Sequence, residues 1–267
     1  MKYKGLVLDL DGTTLVGEEL PEANKLALQR AAAQGLEIIV ATARWKELAL
    51  RVVAEVGAGS VVIACSGAQV RTLNNQQDIF DHRLPLDFVE TLYSLCNQQR
   101  CIATVTVSDE VLLKLDGEPE QSAMGEEMRW VPQLQVDAQN LPRIAAIQGS
   151  AVCEYIKQEL KPKFAETVNV FDSIGPTGKL VITLTAKQAD KGAALAAACA
   201  HLQLDPKQMV AFGDAENDLA MFNLAGFSVA MGQAEQFVQD AANYTTTANT
   251  EDGVALAVNK LLDGSLG

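Results

Sequence analysis

The chain has 267 residues, 48% of them hydrophobic, enough for one large domain or two modest ones with a sizeable core. Its 21 basic and 34 acidic residues leave a net charge of −13, which argues against an electrostatic grip on nucleic acid or on an anionic membrane surface. No apolar stretch approaches the roughly 20 residues of a membrane span, and no signal-peptide pattern precedes the first apolar run, so a cytoplasmic location is expected.

From the N-terminus, strand and helix signals alternate. The aliphatic run at 6–8 reads as a strand buried on both faces. A helix opens near Pro21 and is closed by Gly35, with Ala23, Leu26, Ala27 and Ala31 in helical spacing. Residues 37–41 read as a second buried strand, 45–56 as a helix and 61–64 as a third strand, a βαβαβ beginning. Between about 82 and 186 the pattern changes. Strands at 102–107, 111–115, 144–147 and 179–185 alternate more, helices are expected at 86–98 and 151–160, and 116–139 is polar and acidic with few periodic cues. The first rhythm then resumes, with helices at 190–202, 216–224 and 251–262 and strands at 209–212 and 227–230. The expected fold is therefore α/β, a Rossmann-like doubly wound parallel sheet. It is expected to be built from 1–82 and 187–267, with an α+β domain inserted at 83–186.

The chemistry-bearing residues lie where the buried strands end. Asp9-Leu10-Asp11-Gly12-Thr13 directly follows the first run, and in open α/β sheets ligands bind beyond the carboxyl ends of the strands. Two carboxylates one residue apart repel each other unless a cation or a shared proton intervenes. A calcium loop fits poorly, since the sixth and twelfth positions counted from Asp9 are Thr14 and Leu20 rather than glycine and an acid. The second strand ends in Thr42-Ala43-Arg44, where the threonine could simply cap the next helix. Lys191 stands in the first turn of a helix behind Asp190, a position that disfavours a cation unless an anion sits there. The run Gly213-Asp214-Ala215-Glu216-Asn217-Asp218 follows another buried strand, and capping needs one of its polar groups, not four. Asp214 mirrors Asp9 and is the expected third oxygen ligand of a hard octahedral cation, Mg²⁺. Cys65, Cys96, Cys101, Cys153 and Cys199 form no C-x-x-C pair and read as core thiols, and His82 and His201 carry no motif.

These four elements, D-x-D-G-T, the strand-end threonine, the lysine and G-D-x-x-N-D, occur in order. Together they resemble the signature motifs of the haloacid dehalogenase superfamily. The long insertion and the K-G-x-A-L form at 191–195 are similar to its Cof-type (IIB) phosphatases, which carry a C2B-type cap. The resemblance implies a Mg²⁺-dependent phosphatase acting on small phosphomonoesters, with Asp9 as nucleophile forming an aspartyl phosphate and Asp11 as general acid and base. It implies metal ligation by Asp9, the Asp11 backbone carbonyl and Asp214 with support from Asp218, and phosphate contacts from Thr42, Ala43, Arg44, Lys191 and Asn217. Specificity is expected from a cap that closes over the site, and the partners from a small phosphorylated metabolite, with a monomer or small homo-oligomer. Two departures bear on substrate choice: Ala43 stands for the usual glycine of T-G-R, and Ser66-Gly67-Ala68 for the usual N-G-A. A phosphomutase or phosphotransferase on the same scaffold, and a phospho-receiver, are the alternatives.

Overall fold

The computed structural model describes residues 2–117, 119, 128–174 and 178–267. Among these residues the chain divides into two compact units, one of Met1–Phe80 with Asp190–Gly267 and one of Asp81–Ala189.

The first unit begins with β1 (Gly5–Asp9), α1 (Glu22–Ala33), β2 (Glu37–Ala41), α2 (Lys46–Val56) and β3 (Val61–Ala64), continuing into β4 (Gln69–Thr72) and β5 (Asp78–Asp81). The second unit holds α3 (Leu86–Gln98), β6 (Ile102–Val107), β7 (Glu110–Lys114), β8 (Met128–Val131), β9 (Ile144–Gln148) and α4 (Ser150–Tyr155). A π turn at Ile156–Leu160 leads to α5 (Lys161–Lys163), followed by β10 (Val168–Ile174) and β11 (Leu180–Ala186). The chain then returns to the first unit with α6 (Lys191–Leu202), β12 (Met209–Gly213), α7 (Leu219–Leu224), β13 (Phe227–Ala230), α8 (Gln236–Ala241), β14 (Tyr244–Thr245) and α9 (Gly253–Leu262).

The main sheet has the order β14-β13-β12-β1-β2-β3-β4-β5, parallel from β14 to β3, with β4 antiparallel to β3. Side chains of a strand alternate between faces, so a sheet covered on both sides needs apolar residues at every position. In β1, Leu6 and Leu8 join one core with residues of α1, α2 and α9, such as Leu28, Val52 and Val258. Val7 joins the other core, with Leu195 and Ala198 of α6, Met221 of α7 and Val238 of α8. This is the doubly wound arrangement expected from the sequence. The β4/β5 hairpin was not expected. Its strands are four residues long and carry Gln69, Arg71, Asp78 and Asp81, so no apolar run marks them.

In the second unit the sheet runs β10-β11-β9-β6-β7-β8, with antiparallel neighbours except for the parallel β7/β8 pair. Alternate residues of three strands, Ala103 and Val105, Ala145 and Ile147, Ile182 and Leu184, share one core with Phe88 and Leu92 of α3 and Ile156 of the π turn. Helices on one face of an antiparallel sheet make this an α+β unit. Of the acidic stretch noted in the sequence, residues 118 and 120–127 lie outside the described residues. Among the described residues no helix is long and apolar enough to cross a membrane.

Leu8 is fully buried and Leu26 on α1 is 50% exposed. Leu8→Ala is expected to cost about 2–5 kcal/mol of stability and Leu26→Ala at most about 0.5 kcal/mol, as measured by urea unfolding.

Candidate active site

The parallel register sets Asp9 of β1 beside Ala41 of β2, and Leu8 beside Phe212 of β12. The residues that follow, Asp11, Thr42 and Asp214, therefore emerge along one edge of the sheet. Asp9 is buried, and its backbone carbonyl accepts the Thr14 hydroxyl at 2.6 Å.

Lys191 is the charge at the centre. Its side chain is fully buried, with Nζ 2.5 Å from Asp9 Oδ1 and 2.6 Å from Asp218 Oδ1. The sequence asks for an anion at this helix start, and two carboxylates supply it. Burial works against the ammonium, but Asp218 and Asp9 outweigh it and raise the lysine above its ordinary range. Asp190 caps α6 by accepting the Ala193 N–H at 2.8 Å, so the helix start is fixed independently of the lysine.

Asp218 is fully engaged. While Oδ1 meets Lys191, Oδ2 accepts the backbone N–H groups of Asp214 at 2.9 Å and Ala215 at 3.0 Å. It thereby shapes the loop that presents Asp214, whose Oδ1 accepts the Thr13 hydroxyl at 2.9 Å. Gly12 makes this approach possible. Its φ is +79°, and a Cβ there would lie 2.4 Å from Asp214 Oδ2.

Asp9, Asp214 and Asp218 each place a carboxylate oxygen within 4.8 Å of the others. Three carboxylates face one ammonium. Burial pushes the Asp9 carboxyl well above the usual range, with Lys191 pulling the other way. Burial and then the Asp218 charge push Asp214 up to about 6. An all-oxygen donor set short of positive charge fits a hard divalent cation.

The Asp11 side chain is not part of that cluster. Arg44 grips it with two bonds, Nη2 to Oδ1 at 2.6 Å and Nε to Oδ2 at 3.1 Å, while Nη1 reaches Glu18 at 3.0 Å. Thr42 is buried and does not cap α2, whose N-cap is Trp45; its Oγ1 instead accepts the Arg44 N–H at 3.1 Å. Ala43 and Asn217 are half-buried on their loops.

The family model for haloacid dehalogenase-like hydrolases matches residues 6–258 of this chain. The chain belongs to the haloacid dehalogenase-like hydrolases. It is of the Cof type and is a phosphoric monoester hydrolase. A 5-amino-6-(5-phospho-D-ribitylamino)uracil phosphatase of Bacillus subtilis is 27% identical over 257 residues, spanning 96% of this chain and 94% of the relative. A haloacid dehalogenase-like hydrolase from Bacteroides thetaiotaomicron superposes with a TM-score of 0.81 at 24% identity, covering 97% and 99% of the two chains. The subclass IIB sugar phosphatase BT4131 gives 0.80 at 22% identity, covering 97% and 98%.

Three contacts in this hydrolase escaped the sequence reading. Thr13 holds Asp214, Gln233 donates to the Gly12 carbonyl at 2.5 Å, and Arg44 holds Asp11. Thr13 carried a signal through its place in the opening motif and Arg44 as a cation at the end of the second strand, whereas Gln233 carried none. Of the basic residues at 83–186, Arg83 and Arg143 both pair with Asp81, and Arg129 pairs with Glu110.

Gly12→Ala is expected to destabilise the hydrolase by about 1–2 kcal/mol through its left-handed backbone and to weaken divalent-cation binding by displacing Asp214. Urea unfolding and a cation titration measure the two effects. An aspartate ordinarily titrates near 3.9, so over the window up to about 6 the folded protein holds a proton on Asp214 that the unfolded chain has lost. Stability of chelator-treated protein therefore falls as pH rises through that window, and a divalent cation competes with the same proton. The rise in Tm on adding cation is expected to be larger at about pH 7.5 than at about pH 5, read by scanning calorimetry.

Proposed function

We propose that this hydrolase is a Mg²⁺-dependent phosphatase that cleaves small phosphomonoesters, sugar phosphates or related metabolites, through an aspartyl phosphate on Asp9. The observation that carries the reading is the buried Asp9 carboxylate at the end of β1, held by Lys191 and surrounded by Asp214 and Asp218. The names of the relatives, a phosphorylated ribitylamino-uracil phosphatase and a sugar phosphatase, point to the same substrate class.

A carboxylate attacking a phosphate dianion meets like charge. Asp9, the Asp11 backbone carbonyl and Asp214 would hold Mg²⁺, which would supply the positive charge that offsets this repulsion. Asp218 supports the shell from behind, through Lys191 and the loop amides. Asp9 attacks phosphorus with one carboxylate oxygen as the bond to the leaving alkoxide breaks. Asp11 gives that alkoxide a proton, then takes one from the water that attacks the acyl phosphate, releasing inorganic phosphate and regenerating Asp9. Lys191, Thr42 and Asn217 hold the transferring oxygens, where electrostatic stabilisation carries most of the catalysis. Arg44, read from sequence as a phosphate contact beside Ala43, orients Asp11 through its guanidinium fork.

A panel of phosphomonoesters assayed with and without Mg²⁺ tests the reading. Wild type is expected to release phosphate in sustained turnover only with the cation. Asp9→Asn is expected to abolish that turnover, and Asp11→Asn to lower kcat by about 10²–10⁴-fold. Retained phosphate without turnover would indicate a receiver, and an isomerised ester a mutase. A fully active Asp9→Asn variant would overturn the mechanism.

A further inference from the structure

The second unit contains a buried thiol, Cys101, only 5% exposed, that has a charged side chain beside its sulfur. Cys101 precedes β6, five residues after Cys96 in the last turn of α3. The Cys101 Sγ lies 3.6 Å from the Cys96 carbonyl oxygen, a contact that sets the two cysteines side by side. Lys114 of β7 completes the group, with Nζ 3.9 Å from the Cys101 sulfur.

The Lys114 side chain is only 5% exposed. A buried ammonium needs partners, and this one has Asp116 at 2.9 Å, the Gln99 carbonyl at 3.3 Å and the Cys101 carbonyl at 3.5 Å. These contacts hold the ammonium against the sulfur, where it favours the thiolate while the Asp116 carboxylate opposes it. The Cys96 hydrogen bond, opposed by burial and aided by Lys114, brings the Cys101 thiol down to about 7. Burial pushes Cys153 upward and Cys199 up to about 11. Cys101 also lines a cavity of about 490 Å³ with Arg100, Ile102, Gln148, Gly149 and Lys179 among its walls, room enough for a small oxidant.

We propose that Cys101 is a site of reversible oxidation by a small hydroperoxide, with Cys96 as the thiol that closes a disulfide on it. The Cys101 thiolate attacks one peroxide oxygen, the O–O bond breaks, and hydroxide or alkoxide leaves with the electron pair, giving a sulfenic acid. The Cys96 sulfur then attacks Cys101 sulfur, the S–O bond breaks, and the oxygen departs as water with the Cys96 proton. Two electrons pass from the two thiols to the peroxide. The site lies wholly within the second unit and stands apart from the phosphatase reading.

The test uses the intact protein. At neutral pH iodoacetamide is expected to alkylate Cys101 about tenfold faster than Cys153 or Cys199. After treatment with hydrogen peroxide, trypsin cleavage at Arg83, Arg100 and Lys114 is expected to yield peptides 84–100 and 101–114 joined and short of two hydrogens, and separated again by dithiothreitol. Cys96→Ser is expected to give a sulfenic acid at Cys101 that dimedone traps, and no joined peptides. Lys114→Met is expected to slow alkylation of Cys101. Equal alkylation of the three thiols in wild type would overturn the proposal. So would oxidation of Cys101 to a sulfinic acid while Cys96 stays free.

Discussion

One buried ammonium organises the site. Moving an ion out of water carries an effective cost of several kcal/mol, so a buried lysine survives only where opposite charge meets it at bonding distance. Lys191 finds that charge on Asp9 at the end of β1 and on Asp218 beyond β12. It thereby pins the start of α6 to two strand ends that are far apart in sequence. The same lysine limits how much negative charge the pocket can hold. With Asp214 present as a third carboxylate, one ammonium is not enough, and the deficit is the physical basis for a divalent cation.

The sheet delivers these groups because its central strands are parallel and covered on both faces. Parallel strands expose their carboxyl ends along one edge, and the order β12-β1-β2 puts the termini that lead to Asp214, Asp9 and Thr42 side by side. Hydrogen bonds then fix details that strand position cannot. Asp218 shapes the loop of Asp214 through two backbone amides, Thr13 holds Asp214 from the β1 side, and Gly12 leaves room for the two to meet.

The sequence showed the parts of this arrangement that depend on local pattern. Unbroken aliphatic runs at 6–8 and 209–212 marked strands buried on both faces, and an acid following each marked a site. The fold class followed from the alternation of such runs with helices. What the sequence could not show depends on contacts distant along the chain. Arg44 was visible as a cation at a strand end, but its hold on Asp11 spans 33 positions and has no local signature. The anion at the α6 start was legible as a need, whereas its identity as two protein carboxylates required the folded chain. The β4/β5 hairpin and β10 were missed because polar residues such as Arg71, Asn169 and Asp172 interrupt their apolar pattern, and the π turn at Ile156–Leu160 leaves the helical spacing almost unchanged.

The alternation in β1 has a consequence for how this chain can vary. Leu6 and Leu8 serve one core and Val7 the other, and Asp9 follows in the same two-residue rhythm. Exchanging one aliphatic residue for another leaves that rhythm intact. Adding or deleting a single residue between Gly5 and Asp9 would exchange the two faces of the strand and turn the carboxylate away from Lys191. In this segment, spacing is therefore a stricter inheritance than residue identity, and related chains should differ here by substitution while keeping the count unchanged.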